Sequence, residues 1–106
     1  MPFTLHDLEQ RVKERAAASA EVSYTRKLLD RGIAHCAKKL GEEAIEVALA
    51  AVGEDRERLI AEAADLVYHL IVVLQARVVA LAEVEAALAA RTGQSGLEEK
   101  ALRKPV

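Results

Sequence analysis

A chain of 106 residues with a net charge of −2 is one domain, and that charge excludes wholesale binding of nucleic acid or other polyanions. Its residues are 52% hydrophobic but only 3% aromatic, so Ala, Leu and Val dominate and favour helices, with no Gly- or Pro-rich linker to divide the chain. Cys36 is the single cysteine, the charged start is unlike a signal peptide, and no uninterrupted apolar run reaches the ~18–20 residues of a bilayer span, so a cytoplasmic protein without a membrane partner is expected.

Thr4 is placed to cap a first helix, with Asp7 and Glu9 near its start and Leu5, Leu8 and Val12 at helical spacing. That helix is expected to run to about Ala18. Ser23 reads as the N-cap of a short helix over Tyr24–Arg31, which Gly32 stops. A long apolar helix follows from Ile33 to Val52, ended by Gly53. Gly53-Glu54-Asp55 makes a tight connection, with Asp55 capping a further helix from Arg56 to about Val79. So short a link makes the two long helices an antiparallel hairpin. Ala82 to Arg91 reads as the last helix of a domain expected over residues 1–92, followed by a polar, frayed tail over 93–106. The fold class is all-α, a small bundle of about four to five helices around the hairpin.

The two long helices carry acids where apolar residues belong. Glu42-Glu43-Ala44-Ile45-Glu46 leads into Val47–Val52, and Glu62-Ala63-Ala64-Asp65 opens onto the apolar stretch Leu66–Leu74. At ~100° per residue, Glu42, Glu43 and Glu46 fall within an arc of roughly 100°, and Glu62 and Asp65 lie ~60° apart. Helices apolar nearly all round must be buried, and carboxylates buried together are costly unless positive charge joins them. Lys38, Lys39, Arg58 and Arg77 could supply that charge. A divalent cation is the other source, favoured by the matched spacing on adjacent helices. Glu43 and Glu46 stand three apart, as do Glu62 and Asp65, so each helix can present two oxygens across one turn. Hard oxygen donors suit magnesium, with manganese as a substitute, and no Cys/His cluster argues for zinc. Magnesium so held usually serves phosphate chemistry.

Glu42-Glu43-Ala44-Ile45-Glu46 and, after 15 intervening residues, Glu62-Ala63-Ala64-Asp65 resemble the EExxE…ExxD signature of the all-α nucleoside-triphosphate pyrophosphohydrolases, the superfamily of MazG and the dimeric dUTPases. The flanks are more specific. Ser23-Tyr24-Thr25, Lys27-Leu28-Leu29, Gly32, Lys38-Lys39-Leu40-Gly41 and Leu66-Val67-Tyr68-His69-Leu70 resemble the phosphoribosyl-ATP pyrophosphohydrolase family, over about Leu5 to Arg91. The resemblance implies hydrolysis of 1-(5-phosphoribosyl)-ATP between its α and β phosphates, giving 1-(5-phosphoribosyl)-AMP and pyrophosphate, in histidine biosynthesis. It implies Glu43, Glu46, Glu62 and Asp65 as metal ligands, with Glu42 activating water or sharing a further ion, and a homodimer with substrate at the subunit interface. The Cys- and His-bearing segments of the cyclohydrolase domain often fused to this family are absent, so a separate cyclohydrolase is the expected partner enzyme. A MazG-type enzyme acting on dNTPs, which would use the same metal site, is the alternative. A non-catalytic helical dimerisation module, its acids paired with lysines and arginines, is a third reading.

Lys39 falls within the acidic arc and Lys38 ~40° from its edge, so either could contact a phosphate or simply cover apolar surface with its stem. Tyr24, Arg26 and Lys27 lie near the start of the short helix. The resemblance makes Tyr24 and Lys27 substrate-binding residues, whereas Arg26 reads as solvated. His69, one turn after Asp65, is either a satisfied core histidine or a support for Asp65. His35 and Cys36 read as packing residues and His6 as a surface residue. Val67, Leu70, Ile71, Val73 and Leu74 leave more apolar surface than the shorter helices can cover, so a two-fold dimer is expected.

Overall fold

A computed structural model describes residues 2–53 and 55–93. Among them are five helices and no strand: α1 Leu5–Ala16, α2 Tyr24–Asp30, α3 Ile33–Val52, α4 Arg56–Ala76 and α5 Leu81–Thr92. The expected all-α bundle and its central hairpin are present, while the tail expected over 93–106 lies, apart from Gly93, outside the described residues.

The helix starts follow from single side chains. Thr4 Oγ1 accepts the Asp7 N–H at 3.2 Å while the Asp7 carboxylate accepts the Thr4 N–H at 3.0 Å, a closed capping box. These bonds hold the Asp7 carboxyl below its usual pKa. Ser23 Oγ accepts from Arg26 N–H at 3.0 Å, and Asp55 Oδ1 accepts from Glu57 and Arg58 N–H at 3.0 and 3.2 Å.

Two helix ends differ from expectation by two residues or more, and the remaining ends agree to within one. α1 stops at Ala16 rather than Ala18. Ser23 Oγ–H donates to the Arg15 carbonyl at 2.8 Å and Arg26 Nη1–H to the Ala16 carbonyl at 2.9 Å, so the start of α2 satisfies carbonyls that the end of α1 leaves without an i+4 N–H. Arg26 also pairs with Asp30 at 2.6 Å, which makes it a half-buried strut rather than the solvated residue expected.

α4 stops at Ala76 rather than Val79. Val78 turns left-handed at φ 56°, and the Val78 and Val79 N–H groups donate back to Gln75 and Leu74 carbonyls at 3.1 and 2.9 Å, a C-terminal cap usually made by glycine. A branched side chain in that backbone region is strained by about 1–2 kcal/mol. The Val78 side chain is 89% exposed, so removing it forfeits little packing. Val78→Gly is therefore expected to stabilise by roughly 0.5–1 kcal/mol after allowing for glycine's freedom in the unfolded chain, a rise of a few degrees in Tm. Calorimetry checks this, and a lowered Tm would show that no strain resides at the cap.

α3 and α4 pack along the hairpin, and α1 and α2 cover one side of it. Val12, Leu28, Cys36, Ile71, Val72 and Leu81 form the buried cluster. Cys36 is a packing residue as expected: its thiol donates to the Leu28 carbonyl at 3.3 Å and burial raises its pKa. α5 is anchored by buried Leu81, whose N–H donates to Glu9 Oε2 at 2.7 Å, and by an exposed His6–Glu85 contact at 3.0 Å.

This cluster leaves much apolar surface uncovered. Ile45, Leu49 and Val52 stand exposed at i, i+4 and i+7 along α3, which makes one stripe. Among the described residues, α4 alone is long and apolar enough in composition to cross a membrane. It is also the hairpin's second arm and carries Glu62, Asp65 and His69 toward α3.

Candidate active site

Helical geometry decides which acids meet. Cys36, Glu43 and Ala50 recur every seven residues on α3 and so share a face within ~40°. Cys36 and Ala50 are buried, so that face turns inward. On α4, Glu62, Asp65, His69 and Val72 share an arc of ~80°, and His69 and Val72 are buried. The facing arcs bring one carboxylate oxygen each from Glu43, Glu62 and Asp65 to within 4.8 Å of one another.

Among the described residues, no Lys, Arg or His nitrogen lies within 4.0 Å of these three carboxylates. Each pair of like charges at this separation repels by on the order of 1 kcal/mol even at the dielectric of water. Basic partners occur only at the edges. Arg58 Nη2 lies 3.5 Å from Glu46 Oε2 and Lys39 Nζ 3.8 Å from Glu42 Oε1, with each of these side chains between 29% and 54% exposed. Ion pairs so long and so exposed are worth little. Of the five acids singled out in the sequence, the structure thus gathers three; Glu46 faces Arg58 and Glu42 stands exposed beside Lys39.

The trio fits a hard divalent cation. Two oxygens on one magnesium ion lie at most about 4.2 Å apart, twice the Mg–O distance, so a slight side-chain adjustment closes the group. A second unsatisfied group adjoins it. His69 is 6% exposed, edge-on to Tyr68 and Tyr24 with ring centroids 5.0 and 6.5 Å away, and its Nδ1 has no hydrogen-bond partner. Burial depresses the His69 pKa, opposed chiefly by the nearby Glu43 carboxylate. The ring is thus buried in the core, with one nitrogen left unpartnered among the described residues. Tyr68 is fixed by a 2.5 Å hydrogen bond between its hydroxyl and the buried Thr25 hydroxyl, which ties α4 to α2 and sets Tyr24 beside the hairpin.

Tyr24, Lys27, Arg31, His35 and Lys39 line a cleft of about 580 Å³ between α2 and the first half of α3. The expected substrate residues Tyr24, Lys27 and Lys39 are brought together there, while Lys38 is exposed on α3 and does not line it. Arg31 and His35 were missed in the sequence. In sequence Arg31 reads as the last residue of a short helix and His35 as packing; in the structure both line the cleft, with His35 half-buried on its wall. Burial, then the charges of Arg31, Lys38 and Lys39, depress the His35 pKa. The legible signal was spacing: His35 and Lys39 stand one turn apart on the helix that carries Glu43 one turn later.

Residues 5–92 match the sequence family described as phosphoribosyl-ATP pyrophosphohydrolase. The chain belongs to that family. It is 64% identical over 102 residues to phosphoribosyl-ATP pyrophosphatase 1 of Bradyrhizobium diazoefficiens, covering 96% of each chain. It is 62% identical over 102 residues to phosphoribosyl-ATP pyrophosphatase 1 of Rhodopseudomonas palustris, covering 96% of this chain and 95% of the relative. A phosphoribosyl-ATP pyrophosphatase of Azorhizobium caulinodans is 62% identical over 101 residues, covering 95% and 93%. The resemblance read from the acidic motifs and their flanks is borne out, and the chain is a pyrophosphohydrolase.

Proposed function

We propose that the chain hydrolyses 1-(5-phosphoribosyl)-ATP to 1-(5-phosphoribosyl)-AMP and pyrophosphate, the second step of histidine biosynthesis, in the cytoplasm and with magnesium as cofactor. Water oxygen bonds to the α-phosphorus as the bond from that phosphorus to the α–β bridging oxygen breaks, and pyrophosphate leaves. The observation that carries the reading is the meeting of Glu43, Glu62 and Asp65 inside the hairpin with no basic partner among the described residues. These three would hold the ion, with Glu46 as a fourth donor once it leaves its long contact with Arg58. Bound magnesium, or manganese in its place, supplies neutralisation of the phosphate charge.

The remaining work falls to the chain's own groups. Glu42, exposed beside the trio, orients the attacking water and accepts its proton. Lys39 and Lys27 hold phosphate oxygens in the cleft, Tyr24 forms its wall, and Lys38, exposed on the same helix as Lys39, adds positive potential. His69 buttresses Asp65 from the buried side of α4.

The working unit is a homodimer. The exposed stripe of Ile45, Leu49 and Val52, and an apolar groove between α1 and α4 lined by Phe3, Leu5, Leu8, Ile60 and Val67, are more apolar surface than one small chain stably leaves in water. A second copy related by a two-fold axis covers them.

The test is pyrophosphate release from phosphoribosyl-ATP and from a panel of dNTPs, each with magnesium and with EDTA. Release from phosphoribosyl-ATP alone, abolished by EDTA, is the expected result. Magnesium-dependent release from dNTPs instead would move the chain to the MazG-type activity with the same metal site. No release from any substrate would leave the acids a structural role.

A further inference from the structure

We propose that Arg31, with His35 beside it, binds the 5-phosphate of the substrate's phosphoribosyl group in the cleft between α2 and the start of α3, and so selects phosphoribosyl-ATP over an ordinary nucleoside triphosphate. This rests on the activity proposed above and names the residues that choose its substrate.

Charge is the first argument. Lys27, Arg31 and Lys39 line the cleft, and its one acid, Asp30, is already held by Arg26 at 2.6 Å. Among the described residues, neither Lys27 nor Arg31 has a carboxylate within 4.0 Å. Positive charge left unpaired inside a cleft suits a phosphate, and a guanidinium can grip two of its oxygens at once.

Distance decides which phosphate. Lys39 is one helical turn from Glu43, about 6 Å along the axis, whereas His35 is two turns away, about 12 Å. Helical side chains lean toward the N-terminus, which carries the His35 ring further from the carboxylates. Arg31 lies beyond it, on the far side of Gly32. The leaving pyrophosphate is bonded to the α-phosphate and so needs its cation close to the carboxylates, where Lys39 is. Phosphoribosyl-ATP is anionic at both ends, with ribose and adenine between, and its distal phosphate requires a second cationic group well separated from the first. Arg31 and His35 stand at that separation.

The space agrees. A cleft of about 580 Å³ holds far more than a phosphate, and Ala20, Leu28 and the Tyr24 ring give it apolar wall for a sugar and base. Gly32, at φ 92°, precedes α3 with no side chain capping the helix's first N–H groups, which adds donors at the Arg31 end.

Steady-state kinetics of Arg31→Gln and His35→Asn with magnesium test the assignment, with ribose 5-phosphate and inorganic pyrophosphate as competing inhibitors and circular dichroism to confirm folding. Arg31→Gln is expected to raise the KM for phosphoribosyl-ATP about ten-fold or more with kcat changed less than about two-fold. Inhibition by ribose 5-phosphate should weaken in parallel while inhibition by pyrophosphate holds, and His35→Asn should show the same pattern more weakly. An unchanged KM, wild-type protein that ribose 5-phosphate does not inhibit, or a loss confined to pyrophosphate inhibition would each overturn the proposal. Wild-type protein that releases no pyrophosphate from phosphoribosyl-ATP would instead sink the activity itself, a result distinct from an active wild type that Arg31→Gln matches.

Discussion

Glutamine in place of Glu43 is expected to lower kcat/KM for phosphoribosyl-ATP by a factor on the order of 10² to 10³ or more, and at the same time to raise the Tm of the metal-free protein. The two effects have one cause. Glu43 is the α3 member of three carboxylates gathered within 4.8 Å with no basic partner among the described residues. Without a cation they repel, so neutralising one should stabilise by on the order of 1 kcal/mol, or a few degrees. With a cation they bind, and the wild-type protein should gain about 2.7 kcal/mol when magnesium stands at 100 times its Kd. Glu43→Gln should lose most of that gain. Glu42→Gln should behave differently, lowering kcat while keeping the magnesium-dependent rise in Tm, because Glu42 lies outside the trio beside Lys39. Thermal melts with magnesium and with EDTA, alongside kinetics, check both. A wild-type Tm indifferent to magnesium, together with a Glu43→Gln variant that melts lower, would mean that the acids serve the fold.

Leu49→Arg is expected to convert the proposed dimer to a monomer at micromolar concentration, read by size-exclusion chromatography with light scattering. Leu49 is the centre of the exposed stripe on α3, between Ile45 and Val52. A leucine buried in an interface contributes about 1.5–3 kcal/mol, and two-fold symmetry counts the residue twice. An unpaired guanidinium forced into the same apolar contact adds a desolvation cost, so dimerisation should weaken by on the order of 10²-fold or more. Val22→Arg is the control, since Val22 is 73% exposed between α1 and α2 and away from the stripe. It should leave the dimer intact. A Leu49→Arg protein that remains dimeric would show that the stripe is not the interface.

Much of this was legible one residue at a time. Thr4, Ser23 and Asp55 were read as caps, and each accepts the backbone N–H expected of a cap. α3 spans Ile33–Val52 as expected, because Gly32 and Gly53 bracket an unbroken run of helix-compatible residues. Glu43, Glu62 and Asp65 were visible as acids misplaced in apolar helices. Less legible was the difference between Glu43 and Glu46. Both lie in one acidic arc by periodicity, yet Glu43 shares the inward face of Cys36 and Ala50 while Glu46 lies ~60° round the helix and meets Arg58.

The sequence alone therefore determined the class of fold, the helix starts and the family chemistry, because caps, periodicity and acidic spacing are local properties carried by neighbouring residues. The tertiary structure decided what satisfies the carbonyls at the end of α1, since Ser23 and Arg26 donate to them from the start of α2. It decided which acids converge, since a helical arc is wider than the face that packs. And it decided that Arg31 and His35 share a cleft with Lys27 and Lys39, because two helices must fold across Gly32 before residues of separate turns can surround one space.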